Sequence, residues 1–167
     1  QQEHLKISLK GGSFDLVDPS VLWEHKLSDH LSISFNAEYI YSSGKYKFRY
    51  KRVLQDGKTA YDTTAIRQNG DIHALRAEAG IYATIDKGIW NTKLYFYNSQ
   101  RGIPGAIVNN VWKRSQRQWD RNVFVQSSWQ KSITNKYDVM VNVKYANDFM
   151  RYLNPDTTLL HIDNSFW

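Results

Sequence analysis

LSISFNAEYIY, residues 31–41, alternates almost without interruption. Leu31, Ile33, Phe35, Ala37, Tyr39 and Tyr41 fall on one side. Ser32, Ser34, Asn36 and Glu38 fall on the other, broken only by Ile40. A period of two is the mark of a strand with one apolar and one polar face. The pattern recurs along the chain. LRAEAGIYATI (75–85) sets Leu75, Ala77, Ala79, Ile81, Ala83 and Ile85 against Arg76, Glu78, Gly80, Tyr82 and Thr84. In IWNTKLYFYN (89–98), Trp90, Leu94 and Phe96 oppose Asn91, Lys93, Tyr95 and Tyr97. In YDVMVNVKY (137–145), Tyr137, Val139, Val141, Val143 and Tyr145 oppose Asp138, Asn142 and Lys144. RNVFVQSSW (121–129) and HLKISLK (4–10) follow the rule more loosely.

The alternation predicts strands over 3–10, 19–27, 31–42, 71–86, 89–99, 120–133, 136–147 and 159–167, and no segment sustains a helical period. The connections alternate too. KLSDHL (26–31), TIDKGI (84–89) and SITNKY (132–137) read as tight hairpins on their Asp, Gly and Asn turn residues. Between them lie longer connections, 43–70, 100–119 and 148–158, read as loops. SQRGIPGAIVNN (99–110) belongs to this set, as neither helix nor strand. Short turns alternating with long loops are what a membrane-spanning β-barrel shows, with the long loops on the outer side. The fold class expected is therefore all-β, an antiparallel up-and-down meander of about eight strands forming part of a transmembrane β-barrel. The whole of 1–167 would be one partial barrel region.

Composition agrees. The chain of 167 residues has 14% aromatics, including 11 Tyr and 6 Trp, which fit the pleated surface of a sheet. Its length is enough for one domain with a sizeable core. A mean hydropathy of −0.60 and the lack of any long apolar run exclude a transmembrane helix, not a barrel. There is no cysteine, so disulfides, thiolate metal sites and a cysteine nucleophile are excluded. Strand-like patterns at both ends read as a piece of something larger. Trp129 and Tyr137 flank one tight turn, while Tyr39, Tyr41, Tyr95 and Tyr97 sit toward the loop ends. Aromatic girdles would be placed so, although aromatics favour strands generally.

The net charge of +6 is uneven. The 43–70 connection holds Lys45, Lys47, Arg49, Lys51, Arg52, Lys58 and Arg67 against Asp56 and Asp62. The 100–119 connection holds Arg101, Lys113, Arg114 and Arg117 and no acid. Basic outer loops can meet lipid phosphates or steer an anionic ligand, or can be ordinary solvated charge. No catalytic constellation emerges. His4, His25, His30, His73 and His161 are scattered, and no metal-binding His spacing or phosphate-binding Gly-Lys loop occurs. The chain is expected not to be an enzyme. GKYKFRYKR (44–52) alternates basic and aromatic residues. Alone it would suit a nucleic-acid surface. In a chain that alternates throughout, it reads instead as a strand with Tyr46, Phe48 and Tyr50 on one face, and nucleic acid is not an expected partner.

Three stretches carry a family resemblance. GSFDLVDPSVLWEHKLSDHLSISFNAEYIYSSGKYKF (12–48) resembles early barrel strands of TonB-dependent outer-membrane receptors. IRQNGDIHALRAEAGIYATIDKGIWNTKLYFYNSQRGIPG (66–105) is similar to cobalamin-receptor-like members of Bacteroidetes type. The carriers there are its Arg-x-Asn-x-Asp start, Gly-x-Trp hairpin and Tyr-Asn-Ser-x-Arg-Gly-x-Pro-Gly exit. RQWDRNVFVQSSWQKSITNKYDVMVNVKYANDFMRYLNPD (117–156) continues the likeness. The family's plug domain and energy-coupling box are not among these residues.

The resemblance implies a bacterial outer-membrane location and a parent barrel of about 22 strands with a plugged lumen. It implies binding and import of a scarce small ligand, cobalamin or a related corrinoid first and a ferric siderophore second. Implied partners are that ligand, outer-membrane lipid, the TonB energy-coupling complex acting through the plug, and a surface lipoprotein. The expected ligand contacts in the outer loops are Tyr46, Phe48, Tyr50, Arg101, Ile103, Trp112 and Trp119. Ile103, Ile107, Val108 and Trp112 would offer apolar contact, or would pack against neighbouring loops. No cofactor is expected beyond a weak calcium candidate at Asp56 and Asp62, since calcium wants more oxygen ligands than two carboxylates. Two other readings stand beside this one. One is a complete eight-stranded outer-membrane barrel with a structural or adhesive role. The other is a soluble β-sandwich that binds carbohydrate through surface aromatics.

Overall fold

The computed structural model describes residues 3–107, 113–155 and 162–167. Ten strands follow one another: β1 (Glu3–Gly12), β2 (Leu16–Ser28), β3 (Leu31–Ser42), β4 (Lys47–Val53), β5 (Thr59–Ile66), β6 (Ile72–Ile85), β7 (Gly88–Ile103), β8 (Gln116–Thr134), β9 (Tyr137–Asn154) and β10 (Ile162–Phe166). Eight of them form one antiparallel up-and-down sheet in the order β1-β2-β3-β6-β7-β8-β9-β10, and β4 and β5 form a separate hairpin between β3 and β6. No helix occurs among the described residues.

The three tight turns all lie at one end of the sheet. Asp86 and Lys87 both have positive φ, 49° and 64°, the backbone of a type I′ turn that suits the strand twist. The turns at Asp29–His30 and Asn135–Lys136 are instead followed or preceded by a register shift, between Lys26 and Ser28 and between Ser132 and Thr134. Such bulges supply the twist that the turn itself does not. The β1–β2 turn and the β4–β5 hairpin lie at the other end, where β7 stops at Ile103, β8 begins at Gln116 and β9 stops at Asn154.

Register puts the alternating positions in line across the sheet. Phe35 pairs with Trp23 and with Ala79, Ala79 with Leu94, Leu94 with Val125, and Val125 with Tyr145. The neighbouring row is Asn36, Glu78 and Tyr95 with Phe124 and Ala146. One face is thus apolar and the other mostly polar, as the alternation predicts. A sizeable core does not form. Only Ala74 and Ala83 are buried apolar residues among those described, because the sheet is one layer with nothing against its apolar face. Val143, Tyr145, Tyr137 and Ile7 are 63%, 65%, 70% and 74% exposed. β1 and β10 do not pair with each other, so among the described residues the sheet is open.

Several expected boundaries are corrected. The 43–70 connection is not a loop. Asp56–Gly57 closes it into a hairpin, with Gly57 at φ 80° and Lys58 N donating to Asp56 Oδ1 at 3.0 Å. The strands also run further toward this end than the apolar alternation does. β7 continues to Ile103, so Ser99–Ile103 is strand, β8 begins at Gln116, and β9 reaches Asn154. Ladder hydrogen bonds do not require apolar side chains, so polar residues carry the sheet past the point where the pattern fades. β2 starts earlier, at Leu16, and passes through Pro19, which pairs with Leu9. Tyr95 and Tyr97 stand on the polar face, opposite Glu78 and Arg76, and do not belong to an apolar-face girdle.

Candidate ligand surface at the long-loop end

The β4–β5 hairpin presents an aromatic stripe. Its pairing places Phe48, Tyr50 and Tyr61 on one face, since Phe48 pairs with Ala65, Tyr50 with Thr63 and Arg52 with Tyr61. Ring centroids follow one another from the β1–β2 turn to the hairpin tip. Phe14–Tyr46 is 5.8 Å, Tyr46–Phe48 6.3 Å, Phe48–Tyr50 5.6 Å and Tyr50–Tyr61 5.3 Å. Rings in this range attract through edge-to-face and offset contacts. The opposite face is charged. Arg49 holds Asp62 through Nε at 2.7 Å and Nη2 at 2.5 Å, which keeps the Asp62 carboxyl below its usual range.

The hairpin is tied down at its base. Phe14 carbonyl accepts from Ser43 N at 2.9 Å and from the Ser42 and Ser43 hydroxyls at 3.0 Å each. The two legs cross at Gly44 and Gly70. Gly44 has φ +59°, and a Cβ there would lie 2.0 Å from Gly70 O, so position 44 requires glycine.

Residues 67–71 then fold over the ends of β7 and β8. Asn69 Nδ2 donates to Ile103 O at 3.1 Å and to Gln116 O at 2.7 Å. Arg117 donates to both oxygens of Asp71, at 2.7 and 3.2 Å, and to Asn69 Oδ1 at 3.2 Å. With its amide turned so that oxygen faces Arg117, Gln100 accepts from Nη2 and Nε at 3.2 and 3.1 Å. Arg117's hydrogen bonds hold the Asp71 carboxyl below the usual carboxylate range. A side chain at Gly102 would strike Asn69, whose Oδ1 would be 2.4 Å from its Cβ. Buried Arg67 lies 5.7 Å from the Phe48 ring and donates through Nη2 to Pro104 O at 2.9 Å and also to Gly105 O. Its Nε and Nη1 are buried with no hydrogen-bond partner.

The expected contact residues therefore divide. Tyr46, Phe48 and Tyr50 are together on the stripe. Arg101 and Ile103 are on the polar face of β7, where Arg101 pairs with Asp120 at 3.6 Å. Trp119 is on the opposite, apolar face of β8, under the Arg151 guanidinium at 5.3 Å, so it does not share a surface with Arg101. Ile103–Gly105 packs against the 67–71 loop, and Ile107 is exposed. Val108 and Trp112 lie outside the described residues. Asp56 sits in the hairpin turn and both Asp62 oxygens are engaged by Arg49. Among the described residues no three His, Asp or Glu side chains gather in a way that could hold a metal.

Sequence reasoning did not find Phe14, Tyr61 or the Arg67–Asn69–Asp71–Arg117 clamp as parts of this surface. Asp56–Gly57 was the available signal, since Asp-Gly between alternating segments marks a hairpin and fixes Tyr61 beside Tyr50. A groove of about 390 Å³ also opens on the polar face, lined by Glu24, Asn36, Glu78, Tyr82 and Lys93 among others. No family model matches the chain, and no curated protein matches it.

Proposed function

We propose that this chain is a wall segment of a transmembrane β-barrel in the bacterial outer membrane, within a TonB-dependent receptor that binds and imports a scarce small ligand. The observation that carries the reading is the uncovered apolar face set against a polar one. In water, valine, leucine and tyrosine rows of this extent cost about 25 cal/mol for each Å² of apolar surface left wet. In a bilayer the same rows meet acyl chains, and the polar face turns to the interior. Dimensions agree. Trp119 and Trp129, ten residues apart on the apolar side of β8, are separated by ~33 Å along the strand, or ~25 Å after a ~40° tilt, the height of a barrel's apolar band.

The open edges favour a segment of a larger barrel over a complete eight-stranded one. Lipid does not satisfy unpaired N–H and C=O groups, so β1 and β10 need further strands. A sandwich needs a second facing sheet, and eight of the ten strands lie in one. The aromatic stripe supports ligand capture on the outer side. Cobalamin or another corrinoid is the first ligand proposed and a ferric siderophore the second, on the resemblance in 66–105. The coupling complex would act through a plug carried outside these residues.

The chain has no cysteine, so single cysteines report cleanly. Nitroxide labels at Val125→Cys and Val143→Cys should collide with oxygen dissolved in lipid. Labels at Ser128→Cys and Asn142→Cys should collide with a water-soluble nickel chelate. Equal access of the chelate to both sets removes the membrane reading. Binding of cobalamin or a ferric siderophore to the membrane-assembled protein, weakened by Tyr50→Ala, tests the receptor part.

A further inference from the structure

On the apolar face, where β8, β9 and β10 near the long-loop end, two arginines stand among three aromatic rings. Arg121 pairs across the ladder with Phe149, and Trp119 with Arg151, so cation and ring alternate on the two strands. Arg121 Cζ lies 5.5 Å from the Phe149 ring and 5.9 Å from the Trp167 ring, and those two rings are 4.5 Å apart. Arg151 Cζ lies 5.3 Å from the Trp119 ring and donates to Asp163 at 2.9 and 2.5 Å. A recess of about 220 Å³ opens between them, lined by Asn98, Trp119, Asp120, Arg121, Phe149 and Arg151.

The acids near it are engaged elsewhere. Asp163 is taken by Arg151. Asp120 accepts from Gln118 and lies near Arg101, and Asp148 accepts from Asn122. Arg121 has no acidic partner among the described residues. It is an exposed guanidinium, propped by two rings, and toward the tight-turn end its face continues through Val123, Val125, Val143 and Tyr145.

We infer that this cluster holds the phosphate of a membrane lipid head group at the long-loop side of the bilayer. The inference rests on the apolar face meeting lipid. Arg121 is eight residues from Trp129, ~26 Å along the strand and ~20 Å along the bilayer normal, which sets it at the far rim of an apolar band ~25 Å tall. A charge at that depth extends to the head groups, where phosphate is the available counter-charge. The guanidinium fork matches two phosphate oxygens, and the flanking rings keep it from collapsing onto the sheet. Trp119 and Trp167 suit the same level, since indoles collect at the membrane–water boundary. Charge complementarity therefore selects an anionic phospholipid over an uncharged one.

The test is native mass spectrometry of the full membrane-extracted protein with added phosphatidylglycerol, or with an uncharged galactosyl diacylglycerol of the same acyl chains. Retention of phosphatidylglycerol should exceed that of the galactolipid about five- to tenfold, the scale of one basic residue near a membrane surface. Arg121→Gln should bring the two level. Arg121→Lys should recover part of the difference, and Arg49→Gln on the distant hairpin should leave it intact. Equal retention of both lipids by the unmodified protein, or unchanged preference in Arg121→Gln, overturns the inference. Displacement of the lipid by inorganic phosphate would mean a free-anion site and also overturns it. The Val125→Cys label, read in the Arg121→Gln background, separates the two failures. A label in lipid with no lipid preference sinks this inference alone. A label in water sinks the barrel reading beneath it.

Discussion

In the proposed barrel, replacing Val125 with arginine asks the bilayer to accept a charge where the apolar face is deepest. Val125 is flanked by Leu94 on β7 and Tyr145 on β9. It lies four residues from Trp129 and six from Trp119, which is ~10 Å from one end of the band and ~15 Å from the other after a ~40° tilt. In the proposed barrel that position is close to the midplane. Arginine on the lipid face of a barrel costs about 2–4 kcal/mol there and about 0–1 kcal/mol near the interfaces. Val125→Arg should therefore destabilise the assembled protein by about 3 kcal/mol.

The matched change is Ser128→Arg on the same strand. Ser128 is on the polar face, between Asn91 and Asn142, with no charge directly opposite. Its cost should be about 0.5 kcal/mol or less, as for a surface substitution. The assay is urea unfolding of the protein assembled in lipid vesicles, followed by tryptophan fluorescence, to which this chain contributes six tryptophans. The quantity read is the difference between the two variants at an unchanged slope. Equal costs would refute the reasoning, because a sheet wetted on both sides does not distinguish them. A larger cost at Ser128 would reverse the assignment of the faces.

The hairpin base gives two further expectations. Gly44→Ala should free the hairpin, since a left-handed φ costs a non-glycine residue about 1–2 kcal/mol and the Cβ also meets Gly70 O. Faster tryptic cleavage in 45–67, with unchanged protection of β6–β9, would report it. Asp71→Ala should loosen the same region by about 2 kcal/mol at neutral pH, the range of a charge-assisted pair, discounted because Asp71 and Arg117 are partly exposed. Asp71's folded pKa is depressed, so its contribution is full above the unfolded value near ~4 and is lost as pH falls through the lower folded value. Hairpin protection in the parent should fall with acid in that window, and in Asp71→Asn it should be weak and flat from neutral pH downward. Tyr50→Ala should weaken ligand capture more than Tyr97→Ala, because Tyr50 has rings on both sides in the stripe and Tyr97 stands on the polar face of β7.

The meander was legible because period-two alternation is a direct image of which face each residue takes. Leu31–Tyr41 and Leu75–Ile85 reproduce their assigned faces residue for residue. What alternation cannot show is sheet that extends beyond the apolar band. Ser99–Ile103 and Asp148–Asn154 carry polar or mixed side chains, yet their backbone ladders continue. The expectation of a core failed for a related reason. Length bounds how much surface a chain could bury, but a one-layer sheet leaves the burial to whatever surrounds it. The same face rule corrects Tyr95 and Tyr97, which read as girdle residues by distance along the strand and fall on the polar side by parity.

The loop-end surface was legible only where it repeated the strand rule. Tyr46, Phe48 and Tyr50 alternate with Lys45, Lys47 and Arg49, so their common face could be read directly. Arg67, Asn69, Asp71 and Arg117 could not be joined by spacing, because their contacts reach across as many as 48 positions and depend on where two strands end. Their placement changes what the hairpin can do. Among the described residues, the contacts that join the aromatic stripe to the sheet include Gly44–Gly70, the Phe14 carbonyl and the 67–71 clamp at its base. Loosening those contacts should free the base of the hairpin from the ends of β6 and β7. Arg67 links the two halves, with Phe48 on one side and the Pro104 and Gly105 carbonyls on the other. Arg67→Ala should therefore uncouple the stripe from the end of β7 and leave the eight-stranded ladder intact. Hydrogen exchange should rise at Tyr46–Tyr61 alone, and a rise spreading through β6 and β7 would show that the hairpin is part of the sheet's cooperative unit.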